Sequence, residues 1–196
     1  MLERTSPSIL GKVPIIENLR GDMVRAVYPG TFDPIHYGHI AIAERATQLF
    51  DEVVVAVYDR PLKTLLFSPN ERIDLARQAF DGNPKITVTG FNGLLVEFCR
   101  KIDSQVIVRG LRVFSDFEYE FRMALANRRL APEIETVALI TNEEHTFLSG
   151  STVREIASLE GDVSSMVPVH VEAALKARFS ELGDGQQIVP ATSMRD

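Results

Sequence analysis

Apolar residues along the chain follow two patterns, one typical of buried strands and one typical of helices. Residues 53–58, VVVAVY, are almost continuously apolar and β-branched, which is typical of a strand buried on both faces. Within 38–50, Ile40, Ala43 and Ala46 recur at helical spacing, which indicates a helix with one apolar face. The same criteria predict further strands at 23–28, 85–89, 105–108 and 136–140, and further helices at 94–100, 116–130 and 168–179.

Polar residues mark two more helix starts. Ser68 fits an N-cap and Glu71 completes a capping box, with a proline at the first helical position between them. Ser149, Ser151 and Thr152 precede a helix that is expected to begin near Ser151, so one of these hydroxyls should cap it. The N–H groups at such a helix start also suit a phosphate group, and the two roles are compatible.

Strands that alternate with helices predict a doubly wound parallel α/β sheet. In such sheets ligands bind at the carboxyl ends of the strands, near the point where the strand order reverses. The chemically suggestive segments all follow predicted strands, at 29–39, 59–67, 90–95, 109–112 and 141–151.

Composition and charge narrow the class of protein. The chain has 196 residues, of which 45% are apolar and 24% charged, as in ordinary globular proteins. We expect one domain at 23–181, an N-terminal extension at 1–22 and a polar C-terminal tail at 182–196. The net charge of −6 argues against a nucleic-acid partner, and no apolar run is long enough for a membrane span. The single cysteine, Cys99, agrees with a reducing compartment, which favours a cytoplasmic location.

The loop 29–39, PGTFDPIHYGH, carries the strongest chemical signal. Gly30 and Gly38 permit close approach of the backbone to a ligand, and the following helix start suits phosphate. His39 adds a hydrogen-bond donor at the same place. Three alternatives remain open: a tight turn without function, a zinc site that uses His36 and His39, and His36 as an ordinary loop residue.

Three basic residues follow predicted strands and suit an anion. Arg109 and Arg112 flank a Gly-Leu pair at the end of a buried strand, where guanidinium groups are costly unless they meet an anion. The alternative is an ion pair with Asp116 or Glu120. Lys63 lies in the loop after the second strand, where it either reaches a phosphate or is a solvated lysine.

Several separated motifs resemble those of known enzymes. The segment TFDPIHYGH resembles the (H/T)xGH signature of the nucleotidyltransferase superfamily, which has a Rossmann-like fold. The segments VRGLR, DFEYE, SGSTVRE and GDV, which follow in that order, resemble phosphopantetheine adenylyltransferases of the bacterial type. The resemblance extends from about residue 23 to residue 179.

This resemblance implies a reaction and a set of site residues. The reaction is transfer of the adenylyl group of ATP to 4′-phosphopantetheine, which gives dephospho-coenzyme A and pyrophosphate, with Mg²⁺ carried by the ATP phosphates. The implied catalytic residues are His39, Lys63 and Arg112, and the pantetheine contacts are Thr31, Lys63, Leu95 and Arg109. The implied ATP contacts are Thr31, Phe32, His39, Gly110, Leu111, Arg112, Glu120, His145, Thr146, Phe147, Leu148, Ser149, Gly150 and Ser151. The family further implies a homohexamer and feedback inhibition by coenzyme A.

Two positions depart from the family pattern. His36 stands where members usually carry threonine, and Gly150 interrupts what is usually a run of serines. His36 is shared with nicotinate-mononucleotide adenylyltransferases, which therefore stay an alternative. A second alternative, a nucleotide-binding regulatory module without catalysis, is expected to lack a charge-neutralising residue, yet His39, Lys63, Arg109 and Arg112 are all present.

Overall fold

A computed structural model describes residues 23–59 and 65–183 of the chain. The strands are β1 (Arg25–Gly30), β2 (Glu52–Tyr58), β3 (Ile86–Phe91), β4 (Val106–Leu111) and β5 (Glu135–Ile140). The helices are α1 (Tyr37–Ala46), α2 (Pro69–Ala79), α3 (Leu95–Lys101), α4 (Phe114–Leu130), α5 (Gly150–Ser158) and α6 (Val169–Leu182), with a short 3₁₀ turn at Glu143–His145.

The five strands form one parallel sheet in the order β3-β2-β1-β4-β5. The chain builds the sheet outward from β1 to β3 and then returns to place β4 on the other side of β1. The strand order therefore reverses between β1 and β4, and the loops that leave these two strands diverge there. This confirms the predicted doubly wound α/β fold.

Alternate residues of the central strands enter two apolar layers. Val53, Val55 and Val57 of β2 belong to the larger cluster, which α1, α2, α5 and α6 cover. Val54 and Ala56 belong to the other cluster, together with residues of α3. Because both faces are covered, the central strands are apolar at nearly every position, which explains the continuous run seen in the sequence. Cys99 lies in the second cluster and is fully buried.

Every predicted strand and helix is present, and the differences lie at the ends. Ser68 caps α2 and forms the reciprocal capping box with Glu71, as predicted. The strand expected at 105–108 continues to Leu111, because main-chain pairing with β5 persists beyond the apolar residues. The last helix, expected to end at 179, continues to Leu182.

Some predictions fall outside the described residues. These are Lys63, the N-terminal extension at 1–22 and the part of the C-terminal tail from 184 onward. The division into an extension, a domain and a tail therefore stays a prediction. None of the helices within 23–59 and 65–183 combines the length and the apolar character needed to cross a membrane.

Candidate active site

The loop between β1 and α1 is packed around the ring of Phe32. A Cβ atom at Gly30 would lie 2.8 Å from Phe32 Cζ, so only glycine leaves room for the ring. The ring is 2% exposed and makes edge-to-face contacts with Tyr28 and His39, with centroids 5.6 Å and 5.0 Å away. Because this ring is buried, we expect any contact between Phe32 and a nucleotide to come mainly from its backbone.

Two histidines at the start of α1 form a reciprocal pair. His36 is the N-cap, and its Nδ1 accepts the main-chain N–H of His39 at 3.3 Å, while His39 Nδ1 accepts that of His36 at 3.4 Å. The two rings stack with 3.6 Å between centroids. An Nδ1 that accepts must lack a proton, so each neutral imidazole carries its proton on Nε2. His39 therefore presents an Nε2–H donor.

This arrangement gives His36 a structural role, because its side chain caps α1. Among the described residues, no group of three or more His, Cys, Asp or Glu side chains is arranged to hold a metal ion. Gly38 leaves room for the His36 ring, because a Cβ there would lie 3.1 Å from that ring. Gly38 also lines the cavity described below, so its expected approach to a ligand stays a prediction.

Arg109, in β4, reaches from its strand to α4 and β1. Its Nε and Nη2 donate to the two Glu120 carboxylate oxygens at 2.6 Å and 2.5 Å, and Nη1 donates to the Pro29 carbonyl at 2.8 Å. Burial by itself would lower the pKa of Arg109, but the hydrogen bonds and charge of Glu120 raise it above its ordinary value. Burial also raises the pKa of neighbouring Tyr28, which keeps that phenol neutral.

Arg112, directly after β4, also bonds to a carboxylate of α4 and to a main-chain carbonyl. Its Nε and main-chain N–H both donate to Asp116 Oδ2 at 3.1 Å, and Nη1 donates to the Leu148 carbonyl at 2.5 Å. The ion pairs expected as an alternative for Arg109 and Arg112 are therefore both present. Each guanidinium has a carboxylate partner from α4, which holds it in place.

The start of α5 lies beside Arg112. Ser149 is the N-cap: its hydroxyl accepts the main-chain N–H of Thr152 at 3.0 Å and lies 3.0 Å from the hydroxyl of Ser151. This confirms that one of the three predicted hydroxyls caps the helix. Gly150 is the first residue of α5 and is buried.

One cavity of about 750 Å³ lies at the carboxyl ends of β1 and β4. Among the residues that the sequence predicted, it is lined by Thr31, Phe32, His39, Leu95, Arg109, Gly110, Arg112, Glu120 and Gly150. Of the predicted residues that the structure describes, its lining leaves out Leu111, His145, Thr146, Phe147, Leu148, Ser149 and Ser151. Lys63 lies outside the described residues.

The cavity also includes a surface that the sequence analysis did not assign. Tyr119, Met123 and Asn127 on α4 continue along the side of the helix that carries Asp116 and Glu120, and they line the same space. Helical periodicity in the sequence could have identified these residues, since positions three, four or seven residues beyond Asp116 and Glu120 lie on the same face of a helix. Apolar and amide groups there extend the cavity away from the arginines.

Comparisons with known proteins agree with this architecture. A family model described as cytidylyltransferase-like matches residues 27–156. The phosphopantetheine adenylyltransferase of Thioalkalivibrio sulfidiphilus is 57% identical over 156 residues, which are 80% of this chain and 98% of that protein. Those of Methylococcus capsulatus and Dictyoglomus turgidum are 52% and 47% identical, over 82% and 80% of this chain and 99% and 98% of the relatives. The chain therefore belongs to the phosphopantetheine adenylyltransferase family.

Proposed function

We propose that this chain transfers the adenylyl group of ATP to 4′-phosphopantetheine and releases dephospho-coenzyme A and pyrophosphate. The observation that carries the proposal is one cavity that is shared by the β1–α1 loop, Arg109 of β4, Arg112 directly after β4, and the start of α5. It offers two helix N-termini and two guanidinium groups to phosphates, next to a more apolar extension along α4. The names of the relatives support the same reaction.

For this reaction the protein must position the two substrates and neutralise the negative charge that develops on the phosphates. A phosphate monoester is largely dianionic near pH 7, because its second pKa is about 6, so the acceptor needs no general base. One of its oxygens forms a bond to the α-phosphorus of ATP, and the bond from that phosphorus to the oxygen that bridges the α- and β-phosphates breaks. That oxygen leaves as a terminal oxygen of pyrophosphate. Negative charge on the equatorial and leaving oxygens must then be stabilised.

The ATP half of the site is assigned to the β1–α1 loop and the start of α5. The Nε2–H of His39 would donate to the α-phosphate, where charge develops during transfer. Arg112 and the N–H groups around Gly150 would receive the leaving pyrophosphate. Arg112 is already oriented by Asp116 and the Leu148 carbonyl, so little ordering is required when the nucleotide binds.

The acceptor half is assigned to Arg109 and the cavity wall on α4. Arg109 would bind the phosphate of 4′-phosphopantetheine, with Thr31 and Leu95 beside it. The pantetheine arm alternates amides with short alkyl segments, and Met123 and Asn127 offer matching apolar and amide groups. Lys63 is assigned to the same phosphate by family resemblance alone.

Magnesium is proposed as part of the substrate, Mg-ATP. The carboxylates of Asp116 and Glu120, which line the cavity, both pair with arginines and do not form a cage for a hard cation. Mg²⁺ readily keeps several waters and binds substrate phosphates, which fits a site of this kind. The arginines would supply the remaining positive charge.

Assembly, inhibition and location follow from the same proposal. Phe114, Phe117 and Phe121 form a stacked row on α4, and the first of them is 86% exposed, so this side of the helix suits self-association into the family's hexamer. Coenzyme A contains the product's adenylyl-pantetheine skeleton and would compete for the cavity. The buried Cys99, which forms no disulfide, is consistent with a reducing compartment such as the cytoplasm. Light scattering tests the hexamer, and a pyrophosphate-release assay with added coenzyme A tests the inhibition.

A pyrophosphate-release assay with two acceptors tests the function. Protein and Mg-ATP are mixed with either 4′-phosphopantetheine or nicotinate mononucleotide. We expect release with the first acceptor alone, and dephospho-coenzyme A as the second product. Release with nicotinate mononucleotide alone would support the other adenylyltransferase branch, and binding of ATP without release in either mixture would support a regulatory module.

A further inference from the structure

Arg72 of α2 is fully buried, and its guanidinium is surrounded by carbonyl groups. Nη1 donates to the carbonyls of Thr31 and Tyr58 at 2.7 Å and 2.8 Å. Nε donates to the Phe67 carbonyl at 3.2 Å, and Nη2 donates to that of Asp59 at 3.3 Å. One side chain thus joins the loop after β1, the end of β2 and the residue before the cap of α2.

A second buried charge completes the same cluster. The Asp33 carboxylate accepts the main-chain N–H groups of Leu66 and Phe67 at 2.8 Å and 2.9 Å, and Arg154 Nη1 lies 3.3 Å from its Oδ2. A buried charge is costly unless hydrogen bonds and an opposite charge offset it. Carbonyl groups offset the charge of Arg72, and N–H groups and Arg154 offset that of Asp33. Arg72 contacts the β1–α1 loop, and Asp33 belongs to it.

The hydrogen bonds of Arg72 reach a segment next to the candidate site, which an ordinary core residue would not do. The Thr31 carbonyl lies between Gly30 and Phe32, and the Phe32 ring contacts His39. A lysine has only three donors on one nitrogen and cannot match four carbonyls that surround a planar guanidinium. Loss of this geometry would remove the hydrogen bond that holds the Thr31 carbonyl.

We infer that Arg72 is a positioning residue that fixes the β1–α1 loop at Thr31 relative to the end of β2 and the start of α2. The inference rests on the proposed adenylyl transfer, because the loop matters only if it holds reacting phosphates. Misplacement of a reacting group by about 1 Å can cost a factor of about 10² in rate, so a small shift of this loop would be visible in catalysis.

The test compares Arg72→Lys with the control Arg178→Met. Arg178 of α6 also binds near the start of α2, through the Leu66 carbonyl and Glu71, but within the part of the chain that the structure describes it makes no bond to the β1–α1 loop. We measure kcat and KM for each substrate, the melting temperature, and hydrogen exchange of the amides of residues 31–33. For Arg72→Lys we expect kcat/KM for ATP to fall about 10²-fold and exchange at 31–33 to rise. For Arg178→Met we expect a lower melting temperature with neither effect.

A third variant distinguishes loss of the guanidinium group from a folding defect. In Arg72→Gly, guanidinium ion added well below denaturing concentrations should restore kcat, whereas sodium chloride at equal ionic strength should not. Wild-type values of kcat/KM and of exchange at 31–33 in Arg72→Lys would overturn the inference. A wild-type chain that releases no pyrophosphate would instead refute the proposed function, and the exchange comparison would still decide whether Arg72 fixes the loop.

Discussion

The imidazole rings of His36 and His39 lie nearly parallel, with 19° between their planes, and each Nδ1 accepts the main-chain N–H of the other residue. His36 therefore holds the His39 ring from one side and by one hydrogen bond, while Phe32 contacts it edge-on. A donor that is fixed before the substrate arrives stabilises developing charge without reorganisation during the reaction.

Replacement of His39 by alanine should reduce turnover much more than nucleotide affinity. Loss of one donor to developing charge commonly costs a factor of about 10²–10³ in kcat. Steady-state kinetics and calorimetric titration with ATP measure the two quantities. A variant with near wild-type kcat would show that His39 has no role in the transition state.

Replacement of His36 by threonine should have a smaller effect. A threonine oxygen can still accept the N–H of residue 39 as an N-cap, whereas the stacked ring is lost. One weakened hydrogen bond is worth about 1 kcal/mol, a factor of about five in rate. Steady-state kcat for His36→Thr should thus lie between those of the wild type and His39→Ala, and an equal loss in both variants would contradict this ordering.

Replacement of Gly30 by alanine should displace the Phe32 ring. The new Cβ would lie 2.8 Å from that ring, so we expect a loss of about 1–3 kcal/mol in the free energy of unfolding and a lower kcat. The matched control is Gly82→Ala, where φ is +86° and no atom lies within 4 Å. It should cost about 1 kcal/mol through backbone strain alone, with kcat unchanged. Urea unfolding and steady-state kinetics separate the two effects.

Replacement of Glu120 by glutamine should destabilise the fold. The partly buried Arg109 would lose a charged partner, which costs about 1–3 kcal/mol in the free energy of unfolding. The control on the same helix is Glu118→Gln, whose exposed pair with Arg122 is 3.7 Å long and should contribute less than about 0.5 kcal/mol. Equal urea midpoints for both variants would show that the Arg109–Glu120 pair adds no stability.

The Glu71 carboxylate should make stability depend on pH. Hydrogen bonds from Ser68 lower the pKa of Glu71 below its ordinary value of 4.5, with a further contribution from Arg178. A lowered folded pKa means that the stabilisation is present above pH 4.5 and is lost as pH falls through the folded value. Urea unfolding of the wild type and Glu71→Gln at several pH values should give a difference that vanishes in acid. A difference that stays constant with pH would contradict the assignment.

Local patterns in the sequence accounted for most of the fold. The strands of the core are identifiable because burial on both faces makes them continuously apolar, and the start of α2 because its cap uses residues only three positions apart. The ion pairs of Arg109 and Arg112 were anticipated as an alternative for a similar reason, since Asp116 and Glu120 are near in sequence.

Contacts between distant segments could not be predicted in this way. Arg72 reaches the Thr31 carbonyl across 41 positions, and no residue type in the sequence signals a carbonyl acceptor. Asp33 lies in the loop 29–39, for which a tight turn is one of the alternatives, yet its carboxylate accepts the main-chain N–H groups of residues 66 and 67. The stacking of His36 on His39 likewise depends on how α1 begins in three dimensions.

The burial of Cys99 gives the protein an internal probe of its own unfolding. Burial raises the pKa of this thiol to about 12, so in the folded chain almost no reactive thiolate is present at neutral pH. The sequence contains no other cysteine. The rate at which an alkylating reagent labels the chain therefore reports how often the layer between α3 and the sheet opens, and it does so without an introduced label.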